Sequence, residues 1–194
     1  MGLILVMGLS GVGKTTVIRC LSGKLDGSWL IHNFGESMEE LGRSSGRIQG
    51  NESVMSLEKE LHTSLQQETA RYLAGLSLGN NLIIDTHGMI ETSMGLMPGF
   101  PAPLLDIFSP ERIVLIEAAP EQIINRRIHD SRKRRTDITP EFLGKLQAIS
   151  RQFAVTYSCL SGALLNILEN DMSQQKQCSD ELYKLVTSST FYCQ

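Results

Sequence analysis

Short apolar runs alternate with longer stretches of helical periodicity along this chain. The runs occupy residues 2–7, 28–33, 81–85, 112–117 and 163–168. Each is apolar on both faces, which is typical of strands covered by helices on both sides. Apolar residues recur at helical spacing over residues 54–76 and again over 142–160, where Pro140 fits a first turn, and a last helix is expected at about residues 179–188. This order predicts a five-stranded parallel sheet in a three-layer α/β/α domain.

Composition and charge fit a single globular domain over residues 1–194. Hydrophobic residues make up 41% of the chain and charged residues 20%, and no apolar stretch approaches the length of a membrane span. The net charge of −3 gives no overall attraction to nucleic acid or anionic lipid. The four cysteines form no C-x-x-C pair, which argues against zinc and predicts reduced thiols in a cytoplasmic protein. Residues 42–53, rich in Gly and Ser, are predicted to form a mobile loop.

A glycine-rich sequence follows the first apolar run directly. Residues 8–16 read Gly-Leu-Ser-Gly-Val-Gly-Lys-Thr-Thr, the pattern G-x-x-x-x-G-K-T between a buried strand and a helix. Glycines let the backbone curve around a phosphate, and the helix N-terminus adds partial positive charge. Lys14 is expected to reach the outer phosphates and Thr15 to ligate Mg²⁺. The pattern predicts a nucleoside triphosphate site formed by Gly8, Ser10, Gly11, Val12, Gly13, Lys14, Thr15 and Thr16.

A carboxylate stands at the end of the third apolar run. Asp85 closes Leu-Ile-Ile-Asp, and the carboxyl ends of parallel strands meet at the edge of the sheet where the phosphate loop lies. There Asp85 can hold water on Mg²⁺ and complete the shell begun by Thr15. The alternative is an aspartate that only caps a turn. His87, two residues later, is interpreted as a structural group or as a ligand contact.

Lysine and arginine are concentrated after the fourth apolar run. Six of the ten residues from Arg126 to Arg135 are Lys or Arg, in a chain that is acidic overall. Such a run is often a solvated face or a nucleic-acid patch, but here it follows a strand and a short helix and can fold over the phosphates. Arginines from a closing segment stabilise the charge that develops during phosphoryl transfer. We favour a catalytic lid at about residues 126–138 and do not expect nucleic acid as a partner.

Together, these features resemble the archaeal-type adenylate kinases, a branch of the P-loop nucleoside monophosphate kinases. The likeness runs nearly the length of the chain. It is carried by the phosphate loop, Asn33-Phe34-Gly35, Ile84-Asp85-Thr86-His87, the Gly-Leu-Met-Pro-Gly-Phe-Pro sequence at residues 95–101, Glu117-Ala118-x-Pro120 and the basic segment.

The resemblance implies a P-loop NTPase core with two mobile parts, a monophosphate-binding segment at about residues 36–65 and a short lid. It further implies ATP–Mg²⁺ as donor, AMP as acceptor, a cytoplasmic location and often a homotrimer. The catalytic residues would be Lys14, Asp85, Arg126 and Arg135, with Thr15 and Asp85 organising Mg²⁺. No general base is needed, because an acceptor phosphate is already anionic, so catalysis would consist of positioning and electrostatics.

The acceptor side departs from the family pattern. Residues 51–55 read Asn-Glu-Ser-Val-Met where the family opens a helix with Arg-Asp-x-Met-Arg, and Glu91 stands where the family usually carries Arg or Lys. A carboxylate beside a phosphate dianion is repulsive, and each lost charge-assisted hydrogen bond costs about 1.5–3 kcal/mol. The sequence therefore predicts an intact donor site and an altered acceptor site.

Three functions are compatible with this pattern. The first is a nucleoside monophosphate kinase in which Arg43, Arg47 or lid arginines replace the missing contacts. The second is a kinase whose acceptor lacks a phosphate, in which case Asp85, Glu36 or His87 would serve as the base for an alcohol. The third is an ATP-dependent switch or assembly factor with weak ATPase activity, whose lid cluster contacts RNA or a protein.

Overall fold

A parallel sheet forms the centre of the molecule. The computed structural model describes residues 2–129, 139–171 and 175–188. The strands in these ranges are β1 (Leu3–Met7), β2 (Trp29–Asn33), β3 (Asn81–Asp85), β4 (Met89–Thr92), β5 (Gly95–Pro98), β6 (Arg112–Glu117) and β7 (Leu164–Glu169). Five of them form one sheet in the order β2-β3-β1-β6-β7, with every neighbouring pair parallel. The five predicted strands are confirmed, each within one residue at either end.

Helices connect these strands and cover the sheet. In the described ranges they are α1 (Lys14–Ser22), α2 (Phe34–Ser44), α3 (Lys59–Leu76), α4 (Ala102–Phe108), α5 (Pro120–His129), α6 (Pro140–Ser161) and α7 (Gln175–Thr187). α6 shows why the sequence starts and stops a helix where it does. The Thr139 hydroxyl accepts a hydrogen bond from the Phe142 N–H at 3.2 Å, Pro140 occupies the first turn, and Gly162 ends the helix at φ 72°.

The alternation of residues along β1 divides the core into two layers. Leu5 and Met7 pack with α2, α3, α4 and part of α6 on one face of the sheet. Ile4 and Val6 point to the other face and pack with α1, α5, α7 and the first half of α6. Because successive side chains of a strand point to opposite faces, one apolar strand supplies both cores. The three-layer α/β/α prediction is therefore confirmed.

Three predicted details differ from the structure. The two edge strands are less covered than expected: β2 is half-buried along its length, and Leu164 and Ile167 of β7 are exposed. The helix predicted from residue 54 begins at Lys59, after a 3₁₀ turn at Val54–Ser56. The last helix begins at Gln175, four residues earlier than expected.

The stretch predicted as a loop over residues 42–53 is partly structured. α2 continues through Gly42 to Ser44, and Ile48 is only 3% exposed. Ile48 packs against the place where a side chain on Gly42 would lie, next to Leu65. The absence of a side chain at Gly42 thus lets one apolar residue of the loop reach the core.

A small antiparallel hairpin was not predicted. β4 and β5 pair from Met89↔Pro98 to Thr92↔Gly95 and form a separate two-stranded sheet. Gly99, which follows β5, crosses directly over the His87 carbonyl, where a side chain would collide with the backbone. Within the described ranges, no helix combines the length and the apolar character that crossing a membrane requires.

Candidate functional site

The phosphate loop connects the end of β1 to the start of α1. Gly11 and Gly13 have φ angles of +94° and +87°, which side-chain-bearing residues rarely adopt. A side chain on Gly11 would also meet Arg127 at 3.1 Å, and one on Gly13 would meet Asn170 Nδ2 at 2.5 Å. Backbone conformation and close packing both require glycine at these two positions.

Side chains from α5 and from the end of β7 bind the carbonyl side of the loop. Arg126 Nη1 donates to the Val12 carbonyl at 2.7 Å, and Asn170 Nδ2 donates to the same oxygen at 2.7 Å. Arg127 Nε donates to the Ser10 carbonyl at 2.9 Å. Because the C=O and N–H of a peptide point in opposite directions, holding the carbonyls from outside turns neighbouring N–H groups toward the concave side. This arrangement prepares the loop for an anion.

Arg126 has a second anchor on the loop that follows β7. Its Nη2 donates to the Asn170 carbonyl at 3.0 Å and to Gln122 Oε1 at 3.3 Å. Partial burial lowers the pKa of Arg126, while the nearby Asp171 carboxylate opposes that shift. In this structure the Arg126 guanidinium thus donates its hydrogen bonds to carbonyl groups of the protein. Its predicted role in stabilising the transferring phosphoryl group stays a prediction.

Lys14 and Asp85 form a buried ion pair at the first turn of α1. Their side chains are 7% and 8% exposed, and Lys14 Nζ binds Asp85 Oδ1. The other carboxylate oxygen, Oδ2, accepts a hydrogen bond from Asn33 Nδ2 at 3.1 Å. β1 and β3 are neighbours in the sheet, and the carboxyl end of β3 brings Asp85 to the phosphate loop, as its position at a strand end predicted. The sequence did not predict its pairing with Lys14.

The oxygen groups around this pair suit Mg²⁺. Thr15 is exposed in the first turn of α1, with Thr16 half-buried beside it, and Asp85 supplies a carboxylate. The described residues contain no group of three or more His, Cys, Asp or Glu side chains that could hold a metal alone. Mg²⁺ usually takes one or two protein oxygens and fills its octahedron with water and phosphate oxygens. Thr15 and Asp85 are chemically sufficient for such a shell.

His87 lies beside the beginning of the phosphate loop. Its Nδ1 is 3.0 Å from the Gly8 carbonyl oxygen, although the residue as a whole is exposed. Glu36, the other residue named as a base for an alcohol acceptor, is exposed in the first turn of α2. The histidine contact supports the structural interpretation, because a ring N–H that binds Gly8 fixes the loop where it leaves β1.

The two arginines of the predicted monophosphate-binding segment are engaged within the protein. Arg43 donates to the carbonyls of Gly50 and Glu52 at 2.9 and 2.8 Å. Arg47 Nη1 is 2.5 Å from Glu68 Oε2. Both arginines therefore stabilise the turn after α2 in this structure, and a contact of either with an acceptor phosphate stays a prediction.

Glu91 contacts a cation of the donor side. Its Oε1 lies 3.9 Å from Arg127 Nη2, and Arg127 is 8% exposed. The carboxylate that the sequence placed at a usual cation position thus ties the β4–β5 hairpin to α5. The predicted lid residue Arg135 lies outside the described residues, as do Arg132, Lys133 and Arg134.

Sequence reasoning missed one cation at this edge of the sheet. Arg151 on α6 binds Glu117 through two hydrogen bonds, Nε to Oε1 at 3.1 Å and Nη2 to Oε2 at 2.5 Å. The hydrogen bond and the charge of Glu117 raise the pKa of Arg151. Glu117 ends β6, next to β1, and 55% of the Arg151 side chain is exposed. The Glu-Ala-x-Pro sequence marked the strand end, but nothing local paired it with a residue 34 positions away.

Comparison with known proteins agrees with this geometry. A family model described as an AAA domain matches residues 7–143. An adenylate kinase of Thermococcus onnurineus is 31% identical over 183 residues, which are 94% of this chain and 92% of that protein. An adenylate kinase of Methanothermobacter thermautotrophicus is 32% identical over 182 residues, 94% of this chain and 97% of that protein.

Solved structures show the same fold at low sequence identity. A shikimate kinase from Bacteroides thetaiotaomicron has a TM-score of 0.62 at 16% identity and covers 96% of this chain and 99% of its own. A thymidylate kinase from Candida albicans has a TM-score of 0.56 at 16% identity, with coverages of 95% and 90%. These likenesses bear on the fold alone. The sequence relationship goes further, and the chain belongs to the archaeal-type adenylate kinase family of P-loop kinases.

Proposed function

We propose that the protein transfers the γ-phosphoryl group of ATP–Mg²⁺ to AMP and forms two molecules of ADP. One observation carries the proposal: a phosphate loop whose carbonyls are held from outside, with the Lys14–Asp85 pair at its end. Membership of the adenylate kinase family supports AMP as the acceptor. In the reaction, an oxygen of the AMP phosphate attacks the γ-phosphorus while the bond to the β–γ bridging oxygen breaks.

On the donor side, different residues bind the phosphates of ATP and neutralise their charge. Backbone N–H groups of residues 8–13 bind the β-phosphate, and Lys14 leaves Asp85 to neutralise the β- and γ-phosphates. Thr15 and Asp85 would hold Mg²⁺, which would supply positive charge to the phosphate oxygens. Arg126 and the lid residue Arg135 stabilise the transferring group. No residue has to remove a proton, because the attacking phosphate oxygen is already ionised.

Self-association is proposed with this function, as the family resemblance implies. Phe153 and Leu160, two turns apart on α6, line one apolar groove, and Leu160 is 62% exposed, which supports an apolar contact surface. Light scattering of the purified protein tests it, and a mass of one chain at micromolar concentration would contradict it.

Turnover with several acceptors tests the reaction. We would measure ATP–Mg²⁺ consumption with AMP, with other monophosphates, with nucleosides and without acceptor. The matched variant is Lys14→Met, which keeps the side-chain length and removes the charge. We expect turnover of this variant to be slower by about 10³-fold, because it removes a cation from the transition state.

Lys14→Met also leaves Asp85 buried without its partner, which costs about 3–5 kcal/mol of folding stability. The double variant Lys14→Met/Asp85→Asn removes both charges at similar volume and separates misfolding from lost catalysis. It should regain the wild-type melting temperature and stay inactive. AMP-dependent formation of ADP supports the proposal. ATP loss that does not depend on AMP, or phosphorylation of a nucleoside instead, would contradict it.

A further inference from the structure

Asn33 stands where the acceptor-side helix begins and beside the carboxylate of the donor side. It ends β2 and caps the first turn of α2. Its Oδ1 accepts a hydrogen bond from the Glu36 backbone N–H at 3.0 Å, and its Nδ2 donates to Asp85 Oδ2 at 3.1 Å. One amide group therefore contacts both α2 and Asp85.

These two contacts fix the orientation of the amide. If the group were flipped, its NH₂ would face the N–H of Glu36 and its oxygen would face the Asp85 carboxylate, so both contacts would become repulsive. The sheet holds the same geometry, because Asn33 lies beside Asp85 in the parallel pairing of β2 with β3. A donor and an acceptor are needed at fixed positions, and asparagine supplies both.

The opposite oxygen of Asp85 binds Lys14, so the carboxylate is held from two sides. Phosphates on the loop compete for Lys14, because a polyphosphate attracts the ammonium group more strongly than a single carboxylate does. Once Lys14 turns toward the phosphates, Asn33 remains as the neighbouring side chain that holds Asp85 within the protein. Any shift of Asp85 on nucleotide binding is then transmitted through the Asn33 amide to Glu36.

Phe34, the residue after Asn33, anchors α2 in the core. Phe34 is 5% exposed, and its ring lies 5.4 Å from Phe100 and 5.9 Å from Phe108. The start of α2 is thereby anchored in the aromatic core, and the same face of the helix stays buried through Met38 to Gly42. Because α2 is packed along one face, a displacement at its cap is passed to the helix as a unit.

We propose that Asn33 is a positioning residue that couples occupancy of the phosphate loop to the orientation of α2, the first helix of the monophosphate-binding segment. Donor binding thus prepares the acceptor side through the chain Lys14–Asp85–Asn33–Glu36. The identity of the acceptor rests on the proposed function, but the coupling concerns contacts within this chain.

Hydrogen exchange measures how often the amides of α2 open, so a donor-dependent change in α2 reports this coupling. We would follow peptides covering residues 34–44 by mass spectrometry, with and without a non-hydrolysable ATP analogue and Mg²⁺. Asn33→Ser is the informative variant, because a serine hydroxyl still caps Glu36 but is too short to reach Asp85. Asn33→Ala removes both contacts. Asn80→Ser is the matched control, since Asn80 binds the Leu76 carbonyl at the opposite edge of the sheet.

In the wild type and in Asn33→Ser, we expect different responses to the donor. Donor binding should slow exchange of α2 at least threefold in the wild type and in Asn80→Ser, and less than 1.5-fold in Asn33→Ser. Over the same comparison, the donor analogue should strengthen AMP binding about fivefold in the wild type and less than twofold in Asn33→Ser. Melting of Asn33→Ser should fall by about 3–6 °C, because the cap is retained but the Asp85 carboxylate loses a hydrogen bond, and melting of Asn33→Ala should fall further.

The outcomes separate this inference from the proposed reaction. An undiminished donor response of α2 in Asn33→Ser, or no response in the wild type, would overturn the inference. If the wild-type response is lost in Asn33→Ser but AMP neither binds nor reacts, the coupling stands and the proposed acceptor is wrong.

Discussion

The proposed donor and acceptor sides of the site are held by different kinds of contact. On the donor side, Arg126, Arg127 and Asn170 bind carbonyls of the phosphate loop from elements 114 or more residues away. On the acceptor side, the turn after α2 is held over shorter sequence distances: Arg43 binds carbonyls seven and nine residues away, Ile48 is buried, and Arg47 pairs with Glu68, 21 residues away. A loop clamped by the whole fold can keep a demanding backbone geometry, whereas a locally held turn tolerates sequence change. Of the two departures from the family pattern, residues 51–55 lie in or next to this turn, whereas Glu91 lies on the β4–β5 hairpin and approaches Arg127.

Replacing one glycine on each side by alanine should give the largest difference in ATP affinity and stability between the two sides. Gly13 (φ +87°) packs against Asn170, whereas Gly46 (φ +73°) has open space around it. We expect Gly13→Ala to raise the KM for ATP about 100-fold and to lower the free energy of unfolding by about 2 kcal/mol, because strain and collision add. Gly46→Ala should cost about 1 kcal/mol of stability and leave the KM for ATP within twofold.

Steady-state kinetics and urea unfolding of the two variants check this prediction. Equal losses of ATP affinity in both variants would show that contacts from α5 and β7 do not distinguish the two sides.

Arg126→Ala tests whether the clamp on the loop or the charge of the guanidinium matters more. The Arg126 guanidinium donates hydrogen bonds to the Val12 and Asn170 carbonyls and so holds the phosphate loop. We therefore expect the KM for ATP to rise about tenfold, with a smaller fall in kcat. Arg71→Ala is the matched control, since Arg71 is exposed on α3 and binds Gln67 one turn earlier in the same helix. If turnover instead slows by about 100-fold or more while the KM stays unchanged, the role in transition-state stabilisation is favoured.

The fold and the donor site could be predicted because each depends on local sequence pattern. Apolar runs of five or six residues marked the strands, and the glycine spacing marked the loop. The residues that hold the loop could not be predicted in the same way. Asn170 lies 158 residues from Val12, and only the sheet order brings β7 and β1 to opposite sides of β6.

The acceptor side was harder to predict because its charges find partners within the protein. The sequence identifies Glu91, Arg43 and Arg47, but pairing decides whether each charge faces a ligand. Glu91 approaches Arg127, and Arg47 binds Glu68 on α3. Helical periodicity indicates the position of Glu68, but Glu91 lies on β4, which the sequence did not predict. Both pairings depend on how α3, α5 and the β4–β5 hairpin pack.

Glu91→Gln tests the charge of the acceptor side with a smaller expected effect. Removing a carboxylate reduces repulsion of a phosphate dianion, so we expect the KM for AMP to fall about threefold to fivefold and the KM for ATP to change less than twofold. Glu111→Gln, at the amino edge of the sheet, is the control, because its carboxylate lies beside Gly2 and away from the site. A rise in the KM for AMP would mean that Glu91 supports the site through Arg127 more than it repels the acceptor.

The smallest expected effect concerns protonation of His62, which lies on α3. Burial lowers the pKa of His62 below its usual 6.5. The unfolded chain therefore binds a proton at His62 more readily than the folded chain does. Above pH 6.5 the residue is neutral in both states and does not affect stability; as the pH falls below 6.5, protonation favours the unfolded state. Between pH 7.5 and 5.5, the wild type should lose about 1–2 °C more in melting temperature than His62→Gln. An equal loss of melting temperature in the two proteins would contradict this prediction. It would mean that water reaches the charged ring of His62 in the folded protein.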